Sequence, residues 1–232
     1  RAEMYIGTLH SIFLRLIEEH RPKTALLRNY RLMDEFEQKY LFHRSLREFQ
    51  AIEGYDGLVA RQAKRWDQAE DLAELVNKAA EEDLDLDKLE GSASPVLAAL
   101  GRITRLYRAK LAELNALDFS TIQSTMWRLL VDNPDVLERL RESIRYIMVD
   151  EYQDTNSIQE KIILALASPR NNICVVGDDD QSLYRFRGAT VRNILEFERN
   201  FESGTCTRIE LVTNYRSHPE IIDFYNSWMA SM

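Results

Sequence analysis

Three clusters in the chain combine residue types suited to phosphate chemistry. Tyr146-Ile-Met-Val149 is a short apolar run that ends in Asp150-Glu151. Four apolar residues bounded by charge suit a buried parallel strand. Open α/β sheets bind ligands at the carboxyl ends of their strands. Two carboxylates delivered there could divide the work of hydrolysing a nucleotide. Asp150 would hold Mg2+ beside the phosphates, and Glu151, on the other side of the backbone, would orient and deprotonate water. A solvated turn is the bland alternative for the pair taken alone. The second cluster follows another apolar run, Ile173-Cys-Val-Val176, and reads Gly177-Asp-Asp-Asp-Gln-Ser-Leu-Tyr-Arg-Phe-Arg-Gly-Ala189. Within it Tyr184 and Phe186 alternate with Arg185 and Arg187. Aromatic rings can stack on unpaired bases while guanidinium groups meet phosphates; core packing of the two rings is the alternative. The third cluster, Thr213-Asn-Tyr-Arg-Ser217, follows the apolar run Ile209 to Val212.

These clusters need a scaffold, and hydrophobic periodicity supplies one. Leu9, Ile12, Phe13, Leu16 and Ile17 have helical spacing over Thr8 to Glu19, closed by Arg21-Pro22. Residues 30 to 114 read as almost entirely helical, with an apolar stripe at Leu97, Leu100, Ile103, Leu106 and Leu114 and a loop at Gly91-Ser-Ala-Ser-Pro95. A helix follows Asn133-Pro134 with Val136, Leu137, Leu140 and Ile144 inward. Ser157 to Ala167 is a helix capped by Thr155 or Asn156, Thr190 caps another through Phe197, and Pro219 to Trp228 is a last one. With three buried strands at 146–149, 173–176 and 209–212, this alternation predicts an α/β fold with a parallel sheet. The expected organisation is a first helix at 1–29 belonging to the core, a large all-helical insertion at 30–116, and an α/β core at 117–232.

The chain has 232 residues, enough for one large domain or a domain with an insertion. Nine Phe, ten Tyr and three Trp can build a core, which argues against disorder. No apolar run approaches the roughly 20 residues that span a bilayer. Two cysteines, Cys174 and Cys206, cannot make a disulfide framework or a four-ligand zinc site, so a reducing cytoplasm is the expected location. The net charge of −8 argues against a histone-like binder of nucleic acid but allows a local basic groove. The acidity is concentrated between Asp67 and Glu90, where ten acids face only Lys78 and Lys88, and this run reads as a solvated helix face and loop.

The three clusters, in this order and each at a strand end, resemble the UvrD/Rep family of superfamily 1 DNA helicases. Asp150 to Asn156 resembles motif II, the Walker B element; Gly177 to Ala189 resembles motif III; Asn214 to Ser217 resembles motif IV. Thr8-Leu-His-Ser11 resembles the family's Thr-Phe-His-Ser element, with Leu9 in place of the aromatic, and Ala116-Leu-Asp-Phe119 its short Asp-Phe element. The resemblance implies a partial RecA-like sheet of the P-loop type, with residues 30–116 as subdomain 1B. It implies ATP and Mg2+ as substrate and cofactor, Asp150 as metal ligand, Glu151 as catalytic base, Gln181 as γ-phosphate sensor, Arg216 as a charge clamp and Tyr215 as an adenine-stacking ring. Tyr184, Phe186, Arg187, Thr8 and His10 become candidate DNA contacts, with a core role equally open for His10. The implied partners are single-stranded DNA and single-strand/duplex junctions, with 3′-to-5′ polarity and a role in repair or replication.

A P-loop needs G-x-x-x-x-G-K-[ST], and none of the eight glycines is followed by Lys. In the family that loop lies upstream of the Thr-Phe-His-Ser element and a second motor domain lies downstream. The expectation is therefore an internal piece of a first motor domain, inactive alone and prone to self-association through an uncovered sheet face. Two other readings are a motor within a helicase–nuclease and a non-catalytic DNA-binding or interaction module.

Overall fold

A computed structural model describes residues 4–60, 63–181 and 192–229. They fall into two compact units, 1–196 and 197–232. The first unit is rich in helix and contains two short pairs of parallel strands, an α/β composition.

Helix α1 spans Leu9–Glu19, with Thr8 as its N-cap. Strand β1, Arg31–Leu32, leads into α2, Glu35–Arg44, and α3, Leu46–Gln50. Helices α4, Arg65–Glu81, α5, Leu86–Glu90, and α6, Pro95–Glu113, complete the helical stretch. Strand β2, Ala116–Leu117, then returns beside β1, in parallel, with Arg31 opposite Ala116 and Leu32 opposite Leu117. Next come α7, Phe119–Asp132, and α8, Pro134–Ser143. Strand β3, Ile147–Val149, is followed by α9, Ser157–Ala167, and by β4, Ile173–Val175, which pairs parallel with β3. The short α10, Arg192–Leu195, ends the first unit.

Two hydrophobic cores lie in this unit. One gathers Leu41, Phe42, Phe49, Leu72, Val76, Ile103, Tyr107 and Ala116 from the helical stretch. The other gathers Phe13, Leu16 and Ile17 of α1 with Leu117, Met126, Leu129, Leu140, Ile158 and Ile162. Ala116 and Leu117 are adjacent, yet each belongs to a different core. Successive side chains of a strand point to opposite faces, so two residues of β2 suffice to serve both.

The next residue, Asp118, closes the seam. Its side chain is 3% exposed. Oδ1 accepts from the Thr121 amide at 2.7 Å, the Thr121 hydroxyl at 2.7 Å and the Ser120 hydroxyl at 2.9 Å, a capping box that starts α7. Oδ2 accepts from Gln38 Nε2 at 2.9 Å and from the Tyr107 hydroxyl. Burial, and then the Asp118 charge, push the Tyr107 phenol far up, so it stays a donor.

Several sequence expectations hold and others change. Helix α9 has the expected bounds, with Asn156 as cap in a box with Gln159. The Leu97–Leu114 stripe shifts: Leu100, Ile103, Tyr107 and Leu111 are buried, while Leu97 and Leu114 are exposed. The acidic run is not simply solvated. Glu82 accepts from Ser157 at 2.7 Å and Asp83 from Lys161 at 2.8 Å, which fastens the end of α4 to α9. Burial, and then the Glu82 charge, push the neighbouring Glu81 up to about 7.

The strands are the main correction. The run 146–149 forms β3 only from Ile147, and Met148 is 82% exposed because one face of the β3–β4 pair is open among the described residues. The run Ile209 to Val212 is not a strand: in the second unit it is irregular and exposed, with no ladder partner among the described residues. Apolar β-branched residues form a strand only where a neighbour takes up their N–H and C=O groups. The second unit contains a 3-10 turn at Phe197–Asn200 and helix α11, Pro219–Met229. The helix expected from Thr190 to Phe197 is represented by α10, and Thr190 itself lies outside the described residues.

Replacing Asp118 by Ala strands four buried donor residues at once, because Gln38, Tyr107, Ser120 and Thr121 lose their shared acceptor. The expected loss of stability is about 2–4 kcal/mol, measurable by urea denaturation of this chain.

Candidate functional site

Strand β3 ends at Val149, and two backbone bonds lace its exit to that of β4. The Val176 amide donates to the Val149 carbonyl at 2.8 Å, and the Tyr152 amide to the Val176 carbonyl at 2.9 Å. The residues after both strands are thereby held at the same edge, the carboxyl end of the parallel pair.

Asp150 and Glu151 emerge there, both exposed. Asp150 Oδ1 accepts from the Glu151 amide at 3.0 Å. Glu151 has φ 52° and ψ 43°, the left-handed region that disfavours any residue with a Cβ. Such strain persists only where the surroundings enforce it, and it clusters at working sites. Here Glu151 leads directly into the 3-10 turn Tyr152–Asp154, and only Thr155 separates that turn from Asn156, the cap of α9. Asp154 adds a third carboxyl, pushed up by burial and then by the Glu151 charge; its Oδ1 is buried without a hydrogen-bond partner among the described residues.

Glu151 is held from below. Gln153 Nε2 donates to Glu151 Oε2 at 2.6 Å, and Gln153 Oε1 accepts from the Asp178 amide at 3.1 Å. Asp178 Oδ2 accepts from Gln181 Nε2 at 2.7 Å, and the Gln181 amide donates to the Asp178 carbonyl at 3.1 Å. The structure thus brings Asp150, Glu151 and Gln181 to one edge of the sheet. Tyr215 and Arg216 lie in the second unit, where Tyr215 is 93% exposed. Asn214 Oδ1 accepts from the Arg216 and Ser217 amides at 2.9 and 3.0 Å, which makes this motif a local turn. Tyr184, Phe186 and Arg187 lie outside the described residues.

At the start of α1 the Thr8 hydroxyl accepts from the Ser11 amide at 3.3 Å. His10 is part-buried. Its Nε2 lies 2.9 Å from Gln123 Nε2, its ring meets Phe119 edge-on at 5.6 Å, and Gln123 Oε1 accepts from Asn156 Nδ2 at 2.8 Å. With its oxygen committed to Asn156, the Gln123 amide donates to His10, so Nε2 is the unprotonated nitrogen. Burial lowers the His10 pKa against the opposing effect of the Phe119 carbonyl. The first motif, the Asp-Phe element and the end of motif II are therefore joined by one buried polar chain. Sequence reasoning missed Gln123 and gave Gln153 no role, since His10 lies 113 residues from Gln123 and Asp178 lies 25 from Gln153.

The family model described as the UvrD/REP helicase N-terminal domain matches residues 1–202. The chain belongs to this helicase family. It is 31% identical over 230 residues to DNA helicase II of Haemophilus influenzae, covering 98% of this chain and 29% of that protein. It is 29% identical over 224 residues to DNA helicase II of Escherichia coli, covering 97% of this chain and 29% of the relative. It is 30% identical over 223 residues to ATP-dependent DNA helicase PcrA of Staphylococcus aureus, covering 96% and 29%. The chain thus spans less than a third of the length of these relatives. No helix among the described residues is long and apolar enough to cross a membrane.

The state of His10 gives a signed pH effect. Its pKa is depressed below 6.5 in the fold, so its contribution is present above the unfolded value and lost as pH falls below it. Thermal melts of wild type and His10→Gln should converge between about pH 7.5 and about pH 5.5, since only the wild type binds the extra proton on unfolding. A constant gap across that range would show that His10 is not held neutral.

Proposed function

We propose that this chain is part of an ATP-driven motor that moves on single-stranded DNA and unwinds duplexes. What carries the reading is the shared sheet edge, where Asp150 and Glu151 leave β3 and Gln181 follows β4, with the side chains of Glu151 and Gln181 linked through Gln153 and Asp178.

In this reading ATP is the substrate. The Glu151 carboxylate takes a proton from water as the water oxygen forms a bond to the γ-phosphorus and the bond to the β-phosphate oxygen breaks. Gln181 has both a donor and an acceptor for the γ-phosphate and the attacking water. Asp150 supplies a hard, exposed oxygen ligand of the kind Mg2+ takes alongside phosphates, and bound Mg2+ would neutralise developing charge there. Arg216 serves as a charge clamp on the γ-phosphate and Tyr215 as a stacking ring for adenine.

On the DNA side, Tyr184 and Phe186 stack on bases and Arg187 meets phosphate, with Thr8 and His10 near the strand. The hydroxyl of Thr8 caps α1 and His10 is tied to Gln123, so both act chiefly by holding the first turn of α1 in place. Single-stranded DNA and junctions are the partners, with 3′-to-5′ movement, a repair or replication role and a cytoplasmic setting. Residues 30–116 form an insertion in a RecA-like motor domain. The 232 residues alone, with no P-loop sequence, are proposed not to hydrolyse ATP and to self-associate through the open face at Met148 and Cys174.

In the full-length protein, Glu151→Gln should retain ATP binding and abolish steady-state hydrolysis; near-normal turnover would remove Glu151 as the base. Arg216→Ala should lower kcat by at least about 100-fold, as expected for loss of a transition-state charge. A change below about threefold in DNA-stimulated phosphate release would reject the clamp.

A further inference from the structure

Gln153 sits at the centre of the site without reaching its surface. It is 1% exposed, and both ends of its amide are engaged. Its partners leave no choice of orientation. An ionised carboxylate only accepts and a backbone N–H only donates, so nitrogen must face Glu151 and oxygen must face Asp178. The amide is therefore a two-ended link of fixed polarity, 2.6 Å from the carboxylate and 3.1 Å from the start of the next motif.

The neighbourhood is shaped around that link. A Cβ on Gly177 would lie 2.5 Å from Gln153 Oε1 and 2.5 Å from Ile194 Cδ1. Glycine at 177 is what lets the amide oxygen pass to the Asp178 N–H. The far end of the same segment is also fastened to motif II. Asn193, buried, donates from Nδ2 to the Thr155 carbonyl at 3.2 Å and lies 3.3 Å from both the Thr155 hydroxyl and the Asn156 carbonyl. Residues 178 and 193 are thus both pinned to the segment that carries Glu151.

Resting on the assignment of Glu151 as base, we propose that Gln153 is a positioning residue that sets the Glu151 carboxylate and, through Asp178, the Gln181 amide as one unit. A base is effective when a third group orients it, and the strained backbone at Glu151 makes that support necessary. Displacement of the 178–181 segment is transmitted to the carboxylate through a single buried side chain, without a contact between Gln153 and ATP.

The test uses the full-length protein and steady-state ATP hydrolysis with saturating single-stranded oligonucleotide. Gln153→Met, similar in length but unable to hydrogen-bond strongly, should lower kcat by roughly tenfold or more and leave the KM for ATP within about twofold. Gln153→Glu keeps the acceptor for Asp178 and loses the donor to Glu151, and should lower kcat likewise. In a double-mutant cycle, Gln153→Met combined with Gln181→Ala should lose little more than the worse single variant, because both break one unit. A role in folding alone would lower the melting temperature and the fraction of active sites, leaving kcat per active site and additivity intact; that result overturns the proposal. So does a folded variant whose kcat stays within about twofold of wild type. Should Gln153→Met fail to fold, Gly177→Ala, which crowds the amide oxygen, is read by the same criteria. A wild type without DNA-stimulated hydrolysis overturns the motor reading, and the positioning role with it.

Discussion

The carboxylate of Asp118 is the constraint on which the first unit depends. A buried charge is tolerated only when its acceptor sites are filled. Here five hydrogen bonds fill them, three from the first turn of α7 and two from the helical stretch. The position of α7 then determines where Gln123 lies, and Gln123 in turn holds His10 and Asn156. Asn156 caps α9, immediately after the turn that carries Glu151. A buried acid thereby sets the register of the elements around the edge that carries Asp150 and Glu151.

The same logic extends to the other buried polar side chains of the first unit. Gln38, Gln123, Gln153, Asn156 and Asn193 are all buried, and each has at least one hydrogen-bond partner. Amides serve here because each offers a donor and an acceptor, so chains of them can cross between elements without adding charge. Apolar side chains would fill the same volume but would not specify which atom faces which. Among the described residues two buried oxygens, on Asp154 and Asn193, have no hydrogen-bond partner. Both border the Glu151 segment: Asp154 ends its 3-10 turn, and Asn193 bonds to Thr155.

Much of this was legible in the sequence where signals are local. Helix α9 followed from its apolar period and a cap at Thr155 or Asn156, of which the structure uses Asn156. The carboxylate pair after β3 followed from an apolar run bounded by charge. The family followed from three motifs in order and is matched over residues 1–202. Expectations failed where the deciding partner is remote. Ile209 to Val212 has strand composition, but composition does not provide a neighbour. The run at Tyr146 to Val149 looked buried on both faces because apolarity does not say which face is covered. The acidic stretch concealed the contacts of Glu82 and Asp83 with α9, since a docking pair and a solvated charge look identical in one dimension. Gln153 was visible only as one letter in a motif.

The pairing of β1 with β2 bears on how this chain could be rebuilt. The strands enter and leave the helical stretch side by side and point the same way. Antiparallel neighbours can be joined by a tight turn, whereas parallel ones require the chain to travel back before it pairs again, over about a dozen residues or more. The helices between residues 32 and 116 are therefore also a return path. Shortening them to a hairpin would reverse the second strand and remove Gln38 and Tyr107, two of the donors that surround Asp118. Trimming is geometrically permitted only for designs that keep a crossover, which makes length, rather than sequence, the first specification for any replacement.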